Sequence, residues 1–347
     1  MTIATPVRDA KARAASPVSL NLAPMEARSV TEIPSGDGWQ HERKWDGFRC
    51  LAFREGDRIE LRAKSGKSLS RFFPDVVANL AKARARHFVL DGELIIPVDG
   101  EPSFDALQMR LHPSANRVTK LAAETPAALM TFDCLADGNG RSLLDRPFEE
   151  RRARLEKLLG SGDWPGVVLT AFTRSGKVAR HWLSNPTPSF DGVVSKRLDL
   201  PYRPGERAML KIKCLRTADC VVGGFRYATA GREVGSLLLG LYDDAGLLHH
   251  VGFTSGLKDA EKPALTKQLE ALIKPPGFTG DAPGGPSRWS NERSEDWKPL
   301  KPSLVVEVQF DHVTNGRFRH GTRFLRWRPD KKPKQCTLEQ LHAPIAR

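Results

Sequence analysis

The sequence predicts an α+β chain in two domains, the second of them a small β-barrel. Three observations carry this expectation. At 347 residues the chain is long enough for roughly two domains of about 150 residues, each with its own core. Up to Cys214, short β-branched runs alternate with stretches of helical periodicity. Beyond it come short strands at even spacing, with Gly- and Asp-containing turns and one helix. That is the pattern of a small Greek-key barrel such as an OB-fold. The expected division is an N-terminal arm over residues 1–20, a first domain over 21–214 and a barrel over 215–347.

Each element has its own signal. Residues 1–20 are rich in Ala, Pro and charge without periodicity, which predicts a disordered arm. Residues 48–53 and 58–62 read as strands joined by the turn Arg54-Glu55-Gly56-Asp57. Residues 74–86 place Val76, Val77, Leu80 and Ala83 at helical spacing. Residues 88–98 form a β-branched run interrupted by Asp91-Gly92-Glu93. Residues 145–159, with Asp145 as N-cap and Pro147 close behind, predict an exposed amphipathic helix. Strands at 190–197 and 209–214 complete the first domain. In the second, strands are expected at 220–227, 235–242 and 247–253. A helix over 257–274, a Pro/Gly-rich loop over 275–290 and strands at 304–310 and 322–327 follow.

Composition excludes several classes. A 40% hydrophobic and 27% charged chain is globular and not largely disordered. No apolar run approaches the roughly 20 residues of a membrane span. The first twenty residues carry Arg8, Lys11 and Arg13 but no apolar core, so no secretory leader is expected. Cys50, Cys134, Cys214, Cys220 and Cys336 are scattered and form no CxxC pair. Neither a disulfide framework nor a zinc ribbon is indicated, and a reducing, cytoplasmic location fits. Against 41 acids, 54 Lys and Arg leave a net charge of +13, which points to a polyanionic partner. His249, His250 and His312 share no metal-ligand spacing and read as structural or solvated.

The chemistry begins at Glu42-Arg43-Lys44-Trp45-Asp46-Gly47-Phe48-Arg49, of the form ExKxDGxR. A lysine stands just before a turn entering a strand. Flanked by Arg43 and Arg49 in a partly dry pocket, its ammonium form would be disfavoured, which makes an amine a nucleophile. Asp46 could orient it, and Gly47 would let the backbone approach a ligand. Leu90-Asp91-Gly92-Glu93-Leu94 puts carboxylates in a strand, costly unless they are paired or metal-bound. Thr131-Phe132-Asp133 sets an aromatic beside an acid at a strand end. Asp191-Gly192-Val193-Val194-Ser195-Lys196 and Leu210-Lys211-Ile212-Lys213 follow, the latter with both lysines on one strand face. Alone, each is an ordinary structural feature: an Asp-Gly turn, a core Phe, a solvated lysine pair. In this order and together they are not accidental.

The set resembles motifs I, III, IIIa, IV and V of the covalent nucleotidyltransferases, and Arg326-Trp327-Arg328-Pro329-Asp330-Lys331 resembles motif VI. Within that superfamily the chain is similar to the bacterial ATP-dependent DNA ligases related to the ligase module of end-joining ligase D, of the stand-alone type. Pro24-Met25-Glu26-Ala27 and the run Arg317-Phe318-Arg319-His320-Gly321-Thr322-Arg323-Phe324 add to the likeness, which spans about residues 22–340. It implies a nucleotidyltransferase (adenylation) domain of antiparallel sheets with flanking helices, followed by an OB-fold domain.

By that resemblance Lys44 would attack the α-phosphorus of ATP and carry AMP, with Asp46 beside it. Glu42 would lie at the adenine edge, Phe132 on its face, and Lys196 in the same nucleotide site. Arg49 would contact ribose or the nick phosphate. Glu93 and Asp191 would hold Mg²⁺ or Mn²⁺. Lys211 and Lys213 would neutralise the α-phosphate. Arg328, Asp330 and Lys331 would act on the leaving pyrophosphate. The implied partners are nicked duplex DNA and a Ku-like end-binding protein, in repair, with the enzyme a monomer. Two positions depart from the family pattern. Asp191 stands where Glu is usual, and Lys64 stands where Arg contacts the sugar, so Arg62 and Lys64 are joint candidates. RNA ligase or capping-type chemistry, or a non-catalytic DNA-end scaffold, are the alternatives. Residues 317–334 carry eight basic residues against Asp330, interleaved with Phe318, Phe324 and Trp327, which suits a DNA backbone.

Overall fold

The computed structural model describes residues 18–185, 190–229, 231–284 and 296–341. Contacts divide the chain into one unit of residues 1–183 and 187–212 and another of 184–186 and 213–347.

The first unit is built on two sheets. One has the strand order Arg58–Ala63, Phe48–Glu55, His87–Ile95, Ala128–Ala136, Val167–Leu169. The other runs Ala27–Ser29, Met209–Lys213, Phe190–Arg197, Trp39–Trp45, Phe172–Thr173. Both sheets carry antiparallel pairs, and Ala27–Ser29 and Val167–Leu169 join their edges in parallel. Side chains alternate across each strand, and in Phe48–Glu55 both faces are buried. Cys50 and Ala52 meet the helices Pro74–Lys82 and Phe148–Gly160 through Val76, Leu80, Leu155 and Leu158. Leu51 and Phe53 turn the other way and pack with Val89, Val194 and Met209. The first sheet is therefore a central layer between helices and the second sheet. Behind the second sheet, the helix Gly176–Ser184 lays Ala179 against Val193 and Ile212.

Several sequence expectations change here. Within the arm, residues 1–17 lie outside the described residues, but Val18 is 1% exposed and packs with Leu20, Leu22 and Met25. The chain from Val18 onward is thus part of the core, because it carries apolar side chains that the first sheet has room to bury. Asp91-Gly92-Glu93 does not interrupt its strand; a register shift between Asp91 and Gly92 absorbs the irregularity. Thr131-Phe132-Asp133 lies in mid-strand, not at an end. The helix after residue 145 begins at Phe148 with Pro147 as N-cap and no side-chain cap, so Asp145 is not its cap. Nor is this helix simply exposed: Arg151 and Arg152 are buried, and Arg151 grips Asp133 through two 2.8 Å bonds.

The second unit is built on a six-stranded sheet whose main path runs Leu248–Thr254, Val234–Tyr242, Arg216–Tyr227, Val305–Phe310, Arg323–Trp327, with Lys298–Pro299 paired off that path to Arg216–Tyr227. A parallel bridge between Thr254 and Thr322 brings its two edges together, as in the partly open barrel of an OB-fold. The helix between the third and fourth of these strands in chain order is shorter than its periodicity suggested. A 3₁₀ turn, Asp259–Glu261, precedes Lys262–Glu270, since Pro263 at the first turn favours a helix start there. Of the expected loop over 275–290, residues 285–290 lie outside the described residues.

Asp133 is 1% exposed and depends on Arg151 for its charge. Removing one partner of a buried pair strands the other. Arg151→Met is therefore expected to cost about 3–5 kcal/mol of unfolding free energy by urea titration. A loss below about 1 kcal/mol would show that Asp133 is not electrostatically dependent on it.

Candidate functional site

The antiparallel pairing of Trp39–Trp45 with Phe190–Arg197 sets the site's first wall. Period two puts Glu42 and Lys44 on one strand face and Arg43 on the other, where its guanidinium lies over the Trp182 and Phe190 rings. The register shifts between Phe190 and Val193, and Asp191 in that irregular stretch meets the Lys44 Nζ at 2.8 and 2.9 Å. Burial disfavours the Lys44 ammonium, but Asp191 in contact, with Glu93 and Asp46 beyond, outweighs it and raises the pKa above lysine's ordinary value. Lys44 is thus held charged. The expectation that neighbouring arginines would neutralise it is corrected, because Arg43 faces away and Arg49 is committed elsewhere.

Arg49 donates from Nε and Nη2 to the two oxygens of Asp91 at 2.6 and 2.7 Å. Asp91 is fully buried and also accepts from the Tyr202 hydroxyl at 2.7 Å, while that hydroxyl accepts from the Met25 backbone N–H at 2.8 Å. Burial pushes the Tyr202 phenol well up, helped by the Asp91 charge. Nothing in the sequence singled out Tyr202, which sits in an unremarkable Pro-Tyr-Arg-Pro stretch.

The turn between these strands explains Gly47. A Cβ there would fall 2.1 Å from the Leu94 carbonyl oxygen and 2.9 Å from the Glu93 Cγ. Its close approach here is to the neighbouring strand. That approach brings Glu93 to the pocket wall beside Lys44 and Arg49. Burial drives the Glu93 carboxyl up to about 7 against the pull of Arg49 and Lys44. No described residue ion-pairs with it.

A cavity of about 320 Å³ opens over these groups and is bounded also by Phe132, Lys196, Lys64 and Lys211. Lys196 is 3% exposed and pairs with Glu42 at 2.7 Å. Burial lowers its pKa despite Glu42. Gln40 donates to the same Glu42 at 2.9 Å. The Phe132 ring is approached by Lys196 at 4.3 Å and Arg49 at 4.6 Å. Lys64 lies past the strand end and pairs with Glu26 at 3.0 Å. Of the joint candidates only Lys64 lines this cavity. Arg62 instead pairs with Glu60 at 3.1 Å and donates to the Gly66 carbonyl, because its own strand turns it aside. Glu26, from the Pro24-Met25-Glu26-Ala27 stretch, lines the cavity, while Gln40 and Arg152 reach it through Glu42 and had no sequence signal.

Four expected site residues, Lys213, Arg328, Asp330 and Lys331, lie in the second unit, and Asp330 there pairs with Arg328. Lys213 pairs with Asp311 at 2.5 Å, and the same carboxylate meets the His320 Nδ1 at 3.1 Å. Arg328 and Lys331 are paired with carboxylates of their own barrel. All cysteines are free and buried. His249 bonds to Asp243 at 2.9 Å, consistent with a structural role.

The profile of the ATP dependent DNA ligase domain matches residues 24–213, and that of the ATP dependent DNA ligase C terminal region matches 230–331. The chain is 42% identical to DNA ligase C2 of Mycolicibacterium smegmatis, over 94% of this chain and 96% of that one. It is 31% identical to the multifunctional non-homologous end joining protein LigD of Mycobacterium bovis, over 92% of this chain but 40% of that protein. A solved structure from a study of Lig E DNA ligases, 19% identical, covers 88% of this chain and 100% of that chain with a TM-score of 0.54, a likeness in fold.

Asp311 gives a pH prediction. Burial alone would raise its pKa, but Lys213 and His320 hold it at about 2. A carboxylate depressed in the folded state contributes stability above its unfolded pKa and loses it as pH falls toward the folded value. Asp311→Asn should therefore cost about 2 kcal/mol at pH 6 and roughly half that at pH 3. Equal costs at both pH values in denaturant titrations would refute the ionic role.

Proposed function

The chain belongs to the ATP-dependent DNA ligase family, and on that premise we propose that Lys44 is the nucleophile that takes AMP from ATP. The protein is an ATP-dependent DNA ligase that uses ATP and a divalent metal ion and acts on nicked DNA. What supports Lys44 most is its position. Its amine stands at the wall of the 320 Å³ cavity, on the strand face it shares with Glu42, with a carboxylate in contact.

The amine must lose a proton before it can attack. Asp191, at 2.8 Å, is the acceptor within reach. The freed electron pair then forms the N–P bond to the α-phosphorus as the bond to the bridging oxygen breaks, and pyrophosphate leaves. AMP passes to the 5′-phosphate of the nick, and the adjacent 3′-hydroxyl displaces it. Lys211 at the cavity wall would meet the α-phosphate as its charge develops. Glu42, paired with Lys196, would sit at the adenine edge, and Phe132 would offer its ring to the base. Lys64, in the sugar-contacting slot, would supply a charge but not the fork of an arginine.

Glu93 and Asp191 suit a divalent cation: both are hard oxygen donors near Lys44, and the Glu93 charge is held back by burial with no described ion-pair partner. Bound there, Mg²⁺ would supply positive charge against the phosphates. Arg49, clamped by Asp91, would present its remaining edge to the ribose or nick phosphate. Lys213, Arg328 and Lys331 would act from the second unit. In the cell, the enzyme would serve repair as a monomer in the cytoplasm, with a Ku-like end-binding partner; the relative named for end joining supports the repair part of that reading. No described helix is long and apolar enough to cross a membrane.

Lys44→Ala is expected to fold and bind nicked DNA yet to acquire no covalent label from α-labelled ATP; retained label would overturn the assignment. Glu93→Ala should lose nick sealing most severely at low Mg²⁺, with ATP binding less affected. Sealing that is unchanged across a Mg²⁺ titration would remove Glu93 from the metal site.

A further inference from the structure

The barrel contains an arrangement of charge that stability alone does not explain. Asp219 on Arg216–Tyr227 and Glu307 on Val305–Phe310 stand directly opposite each other in register. They therefore share a sheet face, and their side chains are only 11% and 18% exposed. Like charges directly opposite in a sheet are destabilising, and partial burial aggravates the cost. What relieves it is cationic. Arg328 Nη1 donates to Asp219 Oδ1 at 2.7 Å and lies 3.9 Å from Glu307. Arg326 Nε donates to Glu307 at 2.6 Å, and Lys331 Nζ lies 3.4 Å from Asp219.

The anchor itself is fixed. Gln340 accepts from the Asp219 N–H at 2.9 Å and donates to its carbonyl at 3.0 Å, and the Arg328 N–H bonds to the Val305 carbonyl. Asp330 takes the other edge of the Arg328 guanidinium, at 2.8 and 3.0 Å. Arg328 and Lys331 consequently border one cavity of about 320 Å³, with Trp327 and Gln268.

We propose that Asp219 and Glu307 form a carboxylate socket that positions Arg328 and Lys331 as one dication for the pyrophosphate of ATP. The inference rests on the reading of Arg328 and Lys331 as pyrophosphate-contacting residues. Asp219 and Glu307 touch neither substrate nor reacting atoms, so both are positioning residues. Their effect is to fix the spacing of two long, rotamer-rich side chains before nucleotide arrives, which lowers the ordering cost at binding.

The test separates the steps of ligation. Asp219→Asn and Glu307→Gln keep shape and remove charge. Each should slow lysyl-AMP formation by about tenfold or more, the usual scale for losing an orienting partner. KM for ATP should rise, as should KM for pyrophosphate in the reverse reaction. Sealing of a nick already carrying 5′-AMP should be unchanged, because pyrophosphate has left by then. Equal losses in lysyl-AMP formation and in sealing of the adenylated nick would mean a structural role and overturn the socket. Unchanged or faster lysyl-AMP formation would overturn it too. Arg328→Ala, run beside them, separates the two layers. If it is slow while both socket variants are normal, the socket alone falls. If Arg328→Ala itself forms lysyl-AMP normally, the pyrophosphate reading falls and the socket with it. Thermal midpoints are read on all three, and Glu307→Gln carries the test should Asp219→Asn fail to fold.

Discussion

The fully buried Asp91 carboxylate is the constraint around which the first unit is arranged. A charge without water is tolerated only when it is paired and hydrogen-bonded, and Asp91 receives three donors, two from Arg49 and one from Tyr202. Those contacts draw together the strands Phe48–Glu55 and His87–Ile95, the segment at Tyr202 and the Met25 backbone. With Arg49 so fixed, its guanidinium lies over Phe132, whose ring also meets Lys196, which in turn neutralises Glu42. The cavity wall is therefore a chain of mutually satisfied charges. Disturbing one link leaves the next as an unpaired buried ion.

The same logic explains how Lys44 is presented. The sequence suggests an amine made reactive by neighbouring positive charge. The fold instead sets Arg43 against aromatic rings, gives Arg49 to Asp91, and pairs Lys44 with Asp191. The resting amine is an ammonium with a carboxylate already in contact. Reactivity then depends on what competes with Lys44 for Asp191, not on a permanently lowered pKa.

Much of this was legible in the residues. The strands bearing Glu93 and Lys211, and the change of texture to a small barrel, follow from periodicity and turn chemistry, which are local; the strand Trp39–Trp45 that bears Lys44 was not among those expected. Motif order identified which carboxylates and lysines to bring together. What could not be read was pairing across strands far apart in the chain. Tyr202 reaches Asp91 over 111 positions and Arg151 reaches Asp133 over 18, and neither contact has a spacing rule. Gly47 was recognised as necessary, but its reason, the 2.1 Å approach to the Leu94 oxygen, is a property of register. Arg62 and Lys64 could not be separated by sequence, because only the strand's end decides which one faces the cavity.

Net charge is the clearest case of a sequence quantity that structure redefines. Residues 317–334 carry a net +7, which reads as an open cationic stripe. In the barrel, Arg326, Arg328 and Lys331 are partnered by Glu307, Asp219 and Asp330, two of which come from other strands. Exposed Arg323 instead shares its strand with Phe324 and Trp327, which pack on the barrel core. Two populations of cation follow. Those held by carboxylates have fixed positions and little long-range field, which suits a defined, repeatedly bound polyphosphate. Those facing solvent keep their field, which suits a duplex backbone of any sequence, whose affinity must then fall with added salt. One composition figure thus covers two electrostatic populations, and carboxylate pairing is what divides them.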